Sequence, residues 1–514
     1  MEKLRPLPGR HALLLCILIA FASCKKEVLI QTLSSDDAPA ATNYFNRFWL
    51  DTSYNRLYLN DTIHMTISGN TITGRIPYYT DLSTLIPSFE TPGAAVTVND
   101  SLQYSGITPQ NFKKHPVYTV TGKDGAKTAY TVNLVNFTGL PVVKIKTAAA
   151  VTSRETYVKG SVTIDGAGQY DDLGEVTMQI KGHGGTTWGN PKNPYRIKFD
   201  SKTAVLGEPK AKDWLLIANY FDKTMLRNAI SLYMGQLSNL DWTPHGHFAE
   251  VFMNEVYIGT YLVTEKIETG SNRVNVGDNG YVLEIDQISK LAADDVFFQT
   301  MGILCTIKNP TVSAGDEKYN YIKNFVSAAE IALYSPNFTD TLEGYNKYLD
   351  VNSFVDWYLI NEITKNNDAI FYSSCYMNLK PGGKLKMGPI WDFDIAMGNV
   401  YYNNNQDYTG FWIRNAVWIN RLFEDPAFEA KVKARFRYFK SKEDAILAFI
   451  NKNAADLKWS VIENNNKYNT LYNYTFPNYA IWGSYDNEVL YMKTWLHNRI
   501  MWLDQAFATT TLPN

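Results

Sequence analysis

The sequence changes character at Gly139-Leu140-Pro141, and this change constrains the fold more than any other feature. Before this point, short runs of alternating apolar and polar residues are separated by turn signals, which is typical of antiparallel strands. After it, strand-like runs alternate with long helical patterns. A chain of 514 residues also exceeds the usual size of one domain. The sequence therefore predicts a multidomain protein, with an all-β domain at residues 42–138 and an α+β domain at residues 139–514.

The first of these domains has regular turns and no helical pattern of convincing length. Its clearest signal is the turn Gly122-Lys123-Asp124-Gly125, which precedes an alternating run from Ala129 to Val135 and predicts a hairpin. Short strands with regular turns over about 95 residues are typical of an immunoglobulin-like β-sandwich. No catalytic motif occurs here, so a structural spacer and a module that binds carbohydrate or protein both remain open.

The second domain begins with strands and ends with helices. We expect a strand-rich lobe at about residues 139–270 and a helix-rich lobe at about residues 271–514. Apolar residues at steps of three and four predict the helices, and Ser353 is the predicted N-cap of the later one. The predicted elements are strands Gly160–Ile164, Val176–Ile180 and Tyr195–Phe199, helices Lys223–Leu237 and Ser353–Lys365, and a hairpin of Phe248–Met253 with Val256–Thr264 that turns at Asn254-Glu255.

The first 24 residues have the pattern of an export signal. A basic stretch precedes the apolar run Ala12 to Ala22, whose eleven residues are too few for a transmembrane helix, which needs about 20. The following Phe21-Ala22-Ser23-Cys24 resembles the bacterial lipobox, with Phe21 where leucine is usual. We therefore expect lipidation at Cys24 and a lipoprotein of the cell envelope, either periplasmic or at the cell surface. An ordinary secretory signal with a chance cysteine is the alternative.

Residues 25–41 are small and polar, which predicts a flexible tether between the lipid and the fold. No later segment approaches the length of a transmembrane helix, so we expect membrane association through the lipid anchor only. Lys and Arg together number 49 and Asp and Glu 51, which gives a net charge of −2. Such a chain has no global basic field, and we expect no nucleic-acid partner.

A glycine-rich segment follows one predicted strand and precedes the strand that carries Lys198. Glycines let backbone amides approach an anion closely, and threonine hydroxyls add donors. Lys198 would suit a cation that reaches the phosphates of a nucleotide. Glycines also make bulges and turns, and Lys198 would equally suit the solvated face of an edge strand, so both interpretations stay open. The candidate nucleotide-binding residues of this loop are Gly182, Gly184, Gly185 and Thr186.

Two further segments carry carboxylates suited to phosphoryl transfer. Asp368 begins a loop after a predicted helix and follows two asparagines, a setting that suits either a base for a hydroxyl nucleophile or a turn. Asp392 and Asp394 stand two residues apart among apolar and aromatic residues, where carboxylates are costly unless a cation compensates them. The pattern favours a Mg²⁺ site with Asp392 as the first ligand. Asp394 is the second candidate ligand, or a structural residue that points the opposite way.

Taken together and in this order, these segments resemble the spore coat protein H (CotH) kinase family. The resemblance covers about residues 139–510 and implies an atypical, bilobal protein-kinase-like fold. It also implies transfer of the ATP γ-phosphate to serines of secreted or coat proteins, with Mg²⁺ or Mn²⁺ as the metal. The segments that carry the resemblance are Gly182–Asp200, Leu206–Trp214, Asn219–Lys223, Leu226–Asn228, Thr264–Ile267, Asn367–Ala369 and Trp391–Asp394.

The resemblance also assigns roles to single residues. Asp368 matches the catalytic aspartate of the family, and Asp392 matches its metal-binding aspartate. Lys198 as a phosphate contact and Glu265 as part of the hinge between lobes, beside the nucleotide, are looser analogies. Ser373-Ser374 stands where an asparagine would hold a second metal, which argues against a second Mg²⁺.

Two functions are compatible with the sequence. The first is a Mg²⁺-dependent kinase that phosphorylates serine hydroxyls of exported proteins or of its own chain. The second is an inactive, kinase-like surface lipoprotein that binds a polysaccharide or a protein partner, which the 34 Tyr and 12 Trp side chains would suit. Scarce ATP outside the cytoplasmic membrane favours the second function. Because Asp368 and Asp392 are both present, we expect the first.

Overall fold

The computed structural model describes residues 41–57, 59, 62–77 and 80–509. The predicted export signal, Cys24 and nearly all of the predicted tether lie outside these residues. The chain divides into two compact units: the second contains residues 134–514 with two short segments, 57–59 and 75–81, and the first contains the rest. Within the part of the chain that the structure describes, no helix combines the length and the apolarity that a bilayer crossing requires.

The N-terminal strands form two antiparallel sheets, of three strands in the order β2-β1-β5 and of six in the order β3-β4-β9-β8-β6-β7. Rings from both sheets meet: the centroids of Phe48 and Tyr118 lie 5.2 Å apart, and those of Phe89 and Tyr118 6.3 Å apart. The predicted hairpin at residues 122–125 joins β8 to β9. The strands are β1 (Arg47–Leu50), β2 (Ile63–His64), β3 (Thr66–Ser68), β4 (Thr71–Pro77), β5 (Ser88–Glu90), β6 (Ala95–Val98), β7 (Ser101–Leu102), β8 (Val117–Thr121) and β9 (Lys127–Phe137).

The next seven strands close into a barrel in the order β10-β11-β12-β13-β14-β16-β15. Parallel pairing of β10 with β15 closes it. Alternation along β13 sends Ile197 and Phe199 into the barrel core and leaves Arg196 and Lys198 on the outer face. The strands are β10 (Val142–Thr147), β11 (Val158–Asp165), β12 (Leu173–Gly182), β13 (Tyr195–Val205), β14 (Glu208–Ile217), β15 (Gly246–Met253) and β16 (Val256–Glu265).

The predicted hairpin between β15 and β16 is confirmed, and Asn254 and Glu255 at its turn both have positive φ, 50° and 63°. The first helix, α1 (Arg227–Gln236), begins four residues later than the predicted start at Lys223. The cause is Asp222, whose carboxylate accepts hydrogen bonds from the backbone N–H groups of Thr224 and Arg227 at 2.9 and 2.8 Å. These bonds hold the intervening residues in a turn.

The C-terminal part is helical, as predicted, but it also contains a five-stranded antiparallel sheet, β18-β19-β17-β20-β21, that the sequence analysis did not anticipate. One apolar core joins this sheet to the helices and to α1. The strands are β17 (Tyr281–Asp286), β18 (Phe297–Gln299), β19 (Leu304–Asn309), β20 (Cys375–Leu379) and β21 (Lys386–Met387); the helices are α2 (Glu317–Tyr334), α3 (Val351–Thr364), α4 (Val417–Leu422), α5 (Pro426–Ser441), α6 (Glu443–Tyr468) and α7 (Tyr485–Ala508).

Helix α3 lies in the centre of this core, with nearly every residue buried. The prediction that Ser353 caps it is wrong. Its N-cap is Asp350, whose side chain accepts a hydrogen bond from the backbone N–H of Ser353 at 3.1 Å. The helix therefore begins two residues earlier than expected, because a carboxylate upstream satisfies the free N–H groups of its first turn.

The two cysteines in the described residues, Cys305 and Cys375, are both buried and free. Each is in register with Ile285, one on β19 and the other on β20, on opposite sides of β17. Two inter-strand spacings separate them by about 9–10 Å. A disulfide between them is excluded by this distance.

Candidate active site

Asp368 lies just after α3, where the chain leaves the helix through Lys365 in the left-handed conformation, with φ 48°. The ammonium of Lys365 donates to three backbone carbonyls of the loop at residues 404–409, at 2.8 to 2.9 Å. The amide of Asn367 donates to Oδ1 of Asp368 at 3.0 Å. These bonds fix the Asp368 carboxylate at the end of a rigid, buried helix.

Asp392 and Asp394 lie on an irregular segment that α1 holds in place. The side chain of Asn228 accepts a hydrogen bond from the backbone N–H of Phe393 at 2.7 Å. Arg227 donates from Nε to the carbonyl of Ala396 at 2.9 Å, and its guanidinium is paired with Asp222 at 2.5 Å. The segment is therefore fastened on both sides of Asp394 by residues of the Asn219–Lys223 and Leu226–Asn228 motifs.

The Asp368 loop and the Asp392 segment are joined directly. The amide of Asn366 donates to the backbone carbonyl of Asp392 at 3.1 Å, and the N–H of Met397 donates to the carbonyl of Thr364 at 2.7 Å. Asp392 itself has a φ of 63°, in the left-handed region that aspartate tolerates better than most residues. The structure thus brings together the two segments that carry the predicted catalytic and metal-binding aspartates.

Burial and the charges of neighbouring carboxylates raise the pKa values of Asp392 and Asp394. Burial, the charge of Asp368 and that of Glu284 raise the pKa of Asp392 to about 7, against a lowering by Lys290. Burial, followed by the charge of Asp392, raises the pKa of Asp394 well above its usual range. Burial also raises the pKa of Asp368, which the hydrogen bond from Asn367 partly offsets. The side chain of Asp392 is exposed to solvent, so a ligand can reach its carboxylate.

The donor set fits a hard divalent cation. Among the described residues, no hydrogen bond or ion pair reaches the carboxylate oxygens of Asp392 or Asp394. The carboxylates of Asp368, Asp392 and Asp394 do not form a compact trio with oxygens within 4.8 Å of one another, again within the described residues. Mg²⁺ is commonly held by one or two carboxylates, with waters and substrate phosphates completing its octahedron. Asp392, with Asp394 or Asp368 as a neighbour, suits that arrangement.

The glycine-rich loop lies between β12 and β13, as the sequence predicts. Gly182 is buried at the end of β12, where a Cβ would lie 2.2 Å from the ring of Trp188. Gly184 has a φ of 75°, and its carbonyl accepts a hydrogen bond from Arg154 at 2.9 Å. Gly185 and Thr186 are exposed. Gly182 therefore allows close packing under an aromatic ring, while the next residues form the accessible part of the loop.

A group of cations lies beside this loop. Burial, and then the charges of Arg196, Lys266, Lys181 and Arg154, lower the pKa of His183 to about 4. Arg196 is also paired with Asp213 at 2.6 Å. Lys198 is not among the charges that act on His183. The sequence motif indicates Lys198 but not Lys181 or Arg154. Strand pairing, which sets Lys181 opposite Arg196, is the signal that identifies one of them.

Glu265 lies at the end of β16 and is buried. Its carboxylate accepts a hydrogen bond from the backbone N–H of His245 at 3.1 Å and faces Arg273 at 3.7 Å. Two residues further on, Ile267 packs against a small cluster of buried valines, and Tyr376 packs against the same cluster. Asp392 is among the charges that raise the pKa of Tyr376. This cluster connects the segment after Glu265 to the carboxylate site.

Comparisons with known proteins agree with this arrangement of motifs. Residues 180–503 match the family model described as CotH kinase protein, and residues 55–134 match the one described as SGBP, N-terminal. No curated protein matches the chain. Four chains of solved structures match it. One is described as a "putative glycoside hydrolase" from Bacteroides thetaiotaomicron; it is 14% identical, covers 56% of this chain and 88% of its own, and has a TM-score of 0.16, too low to support an argument about the fold.

The CotH match includes the glycine-rich loop, the α1 motifs and both carboxylate segments, and it spans more than half of the chain. This chain belongs to the CotH kinase protein family.

Proposed function

We propose that this protein is a Mg²⁺-dependent, kinase-like phosphotransferase that moves the γ-phosphate of ATP to a serine hydroxyl. The observation that carries the proposal is the pair Asp368 and Asp392: their segments are joined by hydrogen bonds, and the charge of one raises the pKa of the other. Two neighbouring carboxylates whose charges repel one another are costly in a fold, and a bound metal would reduce that cost. The proposal includes a kinase-like arrangement of the barrel and the helical part around the nucleotide.

Asp392 would hold the metal, with Asp394 as the second carboxylate. A bound Mg²⁺ or Mn²⁺ would supply neutralisation of the charge that develops on the transferred phosphate. Asp368 would accept the proton of the attacking hydroxyl, because its raised pKa brings a carboxylate closer to the value that a general base needs. Asn367 would keep the carboxylate oriented through its hydrogen bond to Oδ1.

The phosphates would lie on the glycine-rich loop. Gly184, Gly185 and Thr186 offer accessible backbone and hydroxyl donors. The cationic contacts would come from Lys198, as the sequence predicts, or from Arg196 and Lys266, whose charges also act on the loop residue His183. Glu265, whose carboxylate is already bonded to the backbone of His245, would contribute through its position beside Lys266.

The acceptor in this proposal is a serine of an exported protein or of the chain itself. The match of residues 55–134 to the SGBP N-terminal model supports a surface or envelope location. Lipid attachment at Cys24 would place the enzyme on a membrane without a spanning helix. A glycan remains the alternative ligand if catalysis is absent.

The test is transfer of label from γ-labelled ATP to a serine-rich acceptor by residues 25–514, with Mg²⁺ and then with Mn²⁺. We expect label with the wild-type protein and none with Asp368→Asn or Asp392→Asn. The matched control is Asp444→Asn, which removes an exposed carboxylate in the first turn of α6 and leaves transfer unchanged.

Absence of label, together with absence of ATP binding in calorimetry with either metal, would contradict the proposal. In that case the inactive scaffold that binds a glycan or a protein becomes the better description. Equal transfer by Asp368→Asn and the wild-type protein would instead remove Asp368 from the mechanism.

A further inference from the structure

A second cluster of metal-ligating side chains lies at one end of the barrel, where β15 begins and β16 ends. It consists of Glu208, His245 and Glu265, each of which places one donor atom within 4.8 Å of the others. Nδ1 of His245 lies 3.4 Å from Oε2 of Glu208 and 3.3 Å from Oε2 of Glu265. It is the one such cluster of three or more residues among the described residues.

These two distances match those between neighbouring ligands of a zinc ion. Zn²⁺ ligands stand about 2.0–2.2 Å from the ion, and at tetrahedral angles their donor atoms are about 3.3–3.5 Å apart. The two distances from His245 fall within that range. One imidazole nitrogen and two carboxylate oxygens form a donor set that zinc enzymes use. Both His245–carboxylate distances are therefore those of ligand pairs around one tetrahedral zinc ion, and the two carboxylate oxygens lie within 4.8 Å of each other.

The carboxylates have outer partners of the kind that orient metal ligands. Nε2 of His247 lies 2.8 Å from Oε1 of Glu208, and the hydroxyl of Tyr170 lies 2.9 Å from Nδ1 of His247. On the other side, Arg273 approaches Oε1 of Glu265, the oxygen that does not face His245. Each carboxylate thus has one oxygen that faces an outer partner, through a hydrogen bond for Glu208 and a charge at 3.7 Å for Glu265, and one oxygen that faces Nδ1 of His245.

The cluster is also accessible from solvent on one side. The side chain of His245 is 44% exposed, whereas those of Glu208 and Glu265 are 14% and 1% exposed. An ion could reach the partly buried Glu208 and the buried Glu265 past His245, and a fourth coordination position would face water. Open positions of this kind are typical of exchangeable or catalytic zinc sites, since structural sites are closed by four protein ligands.

We propose that Glu208, His245 and Glu265 bind one transition-metal ion of the Zn²⁺ class at the end of the barrel, with a water as the fourth ligand. This site is separate from the proposed Mg²⁺ site in both its residues and its donor chemistry: one imidazole is present here, and only carboxylates are present there. Its existence does not depend on phosphoryl transfer.

A metal-free network is the competing description. In that case a protonated His245 bridges the two carboxylates, and the hydrogen bond to Glu265 and the charge of Glu208 raise the pKa of His245 while burial lowers it. The two descriptions differ in one measurable property. Only the metal site takes up a stoichiometric equivalent of Zn²⁺ that depends on both Glu208 and His245.

The test is calorimetric titration of Zn²⁺ into chelator-treated residues 25–514 that carry Asp392→Asn, so that the carboxylate site cannot contribute. We expect one tight equivalent. His245→Ala and Glu208→Gln should each weaken its affinity by more than about tenfold, and His247→Ala, which removes an outer partner, by about tenfold. Circular dichroism of each variant shows whether the barrel is folded, and Co²⁺ absorption in the visible range reports tetrahedral coordination independently.

The matched control is His497→Ala. His497 also faces a glutamate, Glu443, at 2.6 Å, but this pair has no third ligand within the described residues. We expect this variant to bind Zn²⁺ as the parent does. Absence of a saturable equivalent, or an equivalent that folded His245→Ala and Glu208→Gln variants retain in full, would overturn the proposal.

Discussion

Two groups of charged side chains in the second unit differ in how they are compensated. The pairs Asp222–Arg227 and Glu362–Arg499 lie 2.5 and 2.6 Å apart, with side chains that are at most 1% exposed. Asp392 and Asp394, in contrast, have no hydrogen bond or ion pair to their carboxylate oxygens among the described residues. The compensated charges hold backbone segments in place, and the uncompensated ones have free oxygens for a ligand. The presence or absence of a partner therefore distinguishes structural charges from candidate ligands more clearly than sequence motifs do.

We expect the largest loss of stability when one partner of a compensated pair is removed, because these pairs hold backbone segments in place. Arg499→Met leaves the carboxylate of Glu362 buried and unpaired, although it still accepts hydrogen bonds from the backbone N–H groups of Trp412 and Arg414. Removing one partner of a buried pair costs about 3–5 kcal/mol. We expect a loss of this size in the free energy of unfolding, measured by urea denaturation.

The control is Lys452→Met, which breaks the exposed pair Lys452–Asp456 on α6. Exposed pairs of this kind contribute about 0–1 kcal/mol. Equal losses for Arg499→Met and Lys452→Met would show that burial does not distinguish the two kinds of pair.

The hydrogen bond that joins α1 to the segment of Asp392 and Asp394 predicts an intermediate loss of stability. Asn228→Ala removes the acceptor of the Phe393 N–H, which is buried between Asp392 and Asp394. An unsatisfied buried group costs about 1–3 kcal/mol. We expect this loss in urea denaturation, together with weaker calorimetric binding of ATP with Mg²⁺, because the carboxylates lose their fixed position.

For this prediction, Asn453→Ala is the matched control, since within the described residues the side chain of Asn453 donates to one backbone carbonyl, that of Phe449 in the same helix. A destabilised Asn228→Ala variant that binds nucleotide as the wild-type protein does would break the proposed link between α1 and the metal-binding segment.

We expect the smallest change in stability at the carboxylates without hydrogen-bond partners, and there the substitution should stabilise the protein. The pKa of Asp392 is raised from 3.8 to about 7 in the folded state, so its contribution to stability is complete below pH 3.8 and is lost as the pH rises to about 7. The side chain of asparagine cannot ionise, so the Asp392→Asn variant does not lose this stability as the pH rises. We expect a gain of about 1 kcal/mol at pH 8 without metal, well below the full conversion of the shift because solvent reaches the side chain.

Thermal denaturation at pH 5 and pH 8 measures this gain, with Asp444→Asn as the control. The difference between Asp392→Asn and wild type should be larger at pH 8 than at pH 5. A variant that is less stable than wild type at pH 8 would mean that the Asp392 carboxylate is compensated after all.

The sequence predicted the parts of the fold that depend on local pattern. The hairpin turn at Asn254-Glu255 and the strands on both sides of the glycine-rich loop follow from turn residues and alternation alone. The start of α3 did not follow, because Asp350 and Ser353 are both good N-caps and only the tertiary environment selects between them. Closure of the barrel by β10 and β15 also depends on pairing across a long stretch of chain.

The candidate sites divide in the same way. Asp368 and Asp392 could be selected from sequence because each lies in a recognisable motif. The cations beside His183 lie on separate segments, and strand register, not sequence spacing, brings Lys181 next to Arg196. Glu208 and Glu265 come from different strands and meet only at the end of the closed barrel. No local pattern contains that information.

The most direct test of the central claim is calorimetric titration of ATP, with and without Mg²⁺, into residues 25–514 and into the Asp392→Asn and Asp368→Asn variants. We expect saturable binding that requires the metal, is lost in Asp392→Asn and is retained in Asp368→Asn, because Asp368 acts in the chemical step. Metal-dependent binding that survives in Asp392→Asn, or no binding by the wild-type protein, would contradict it.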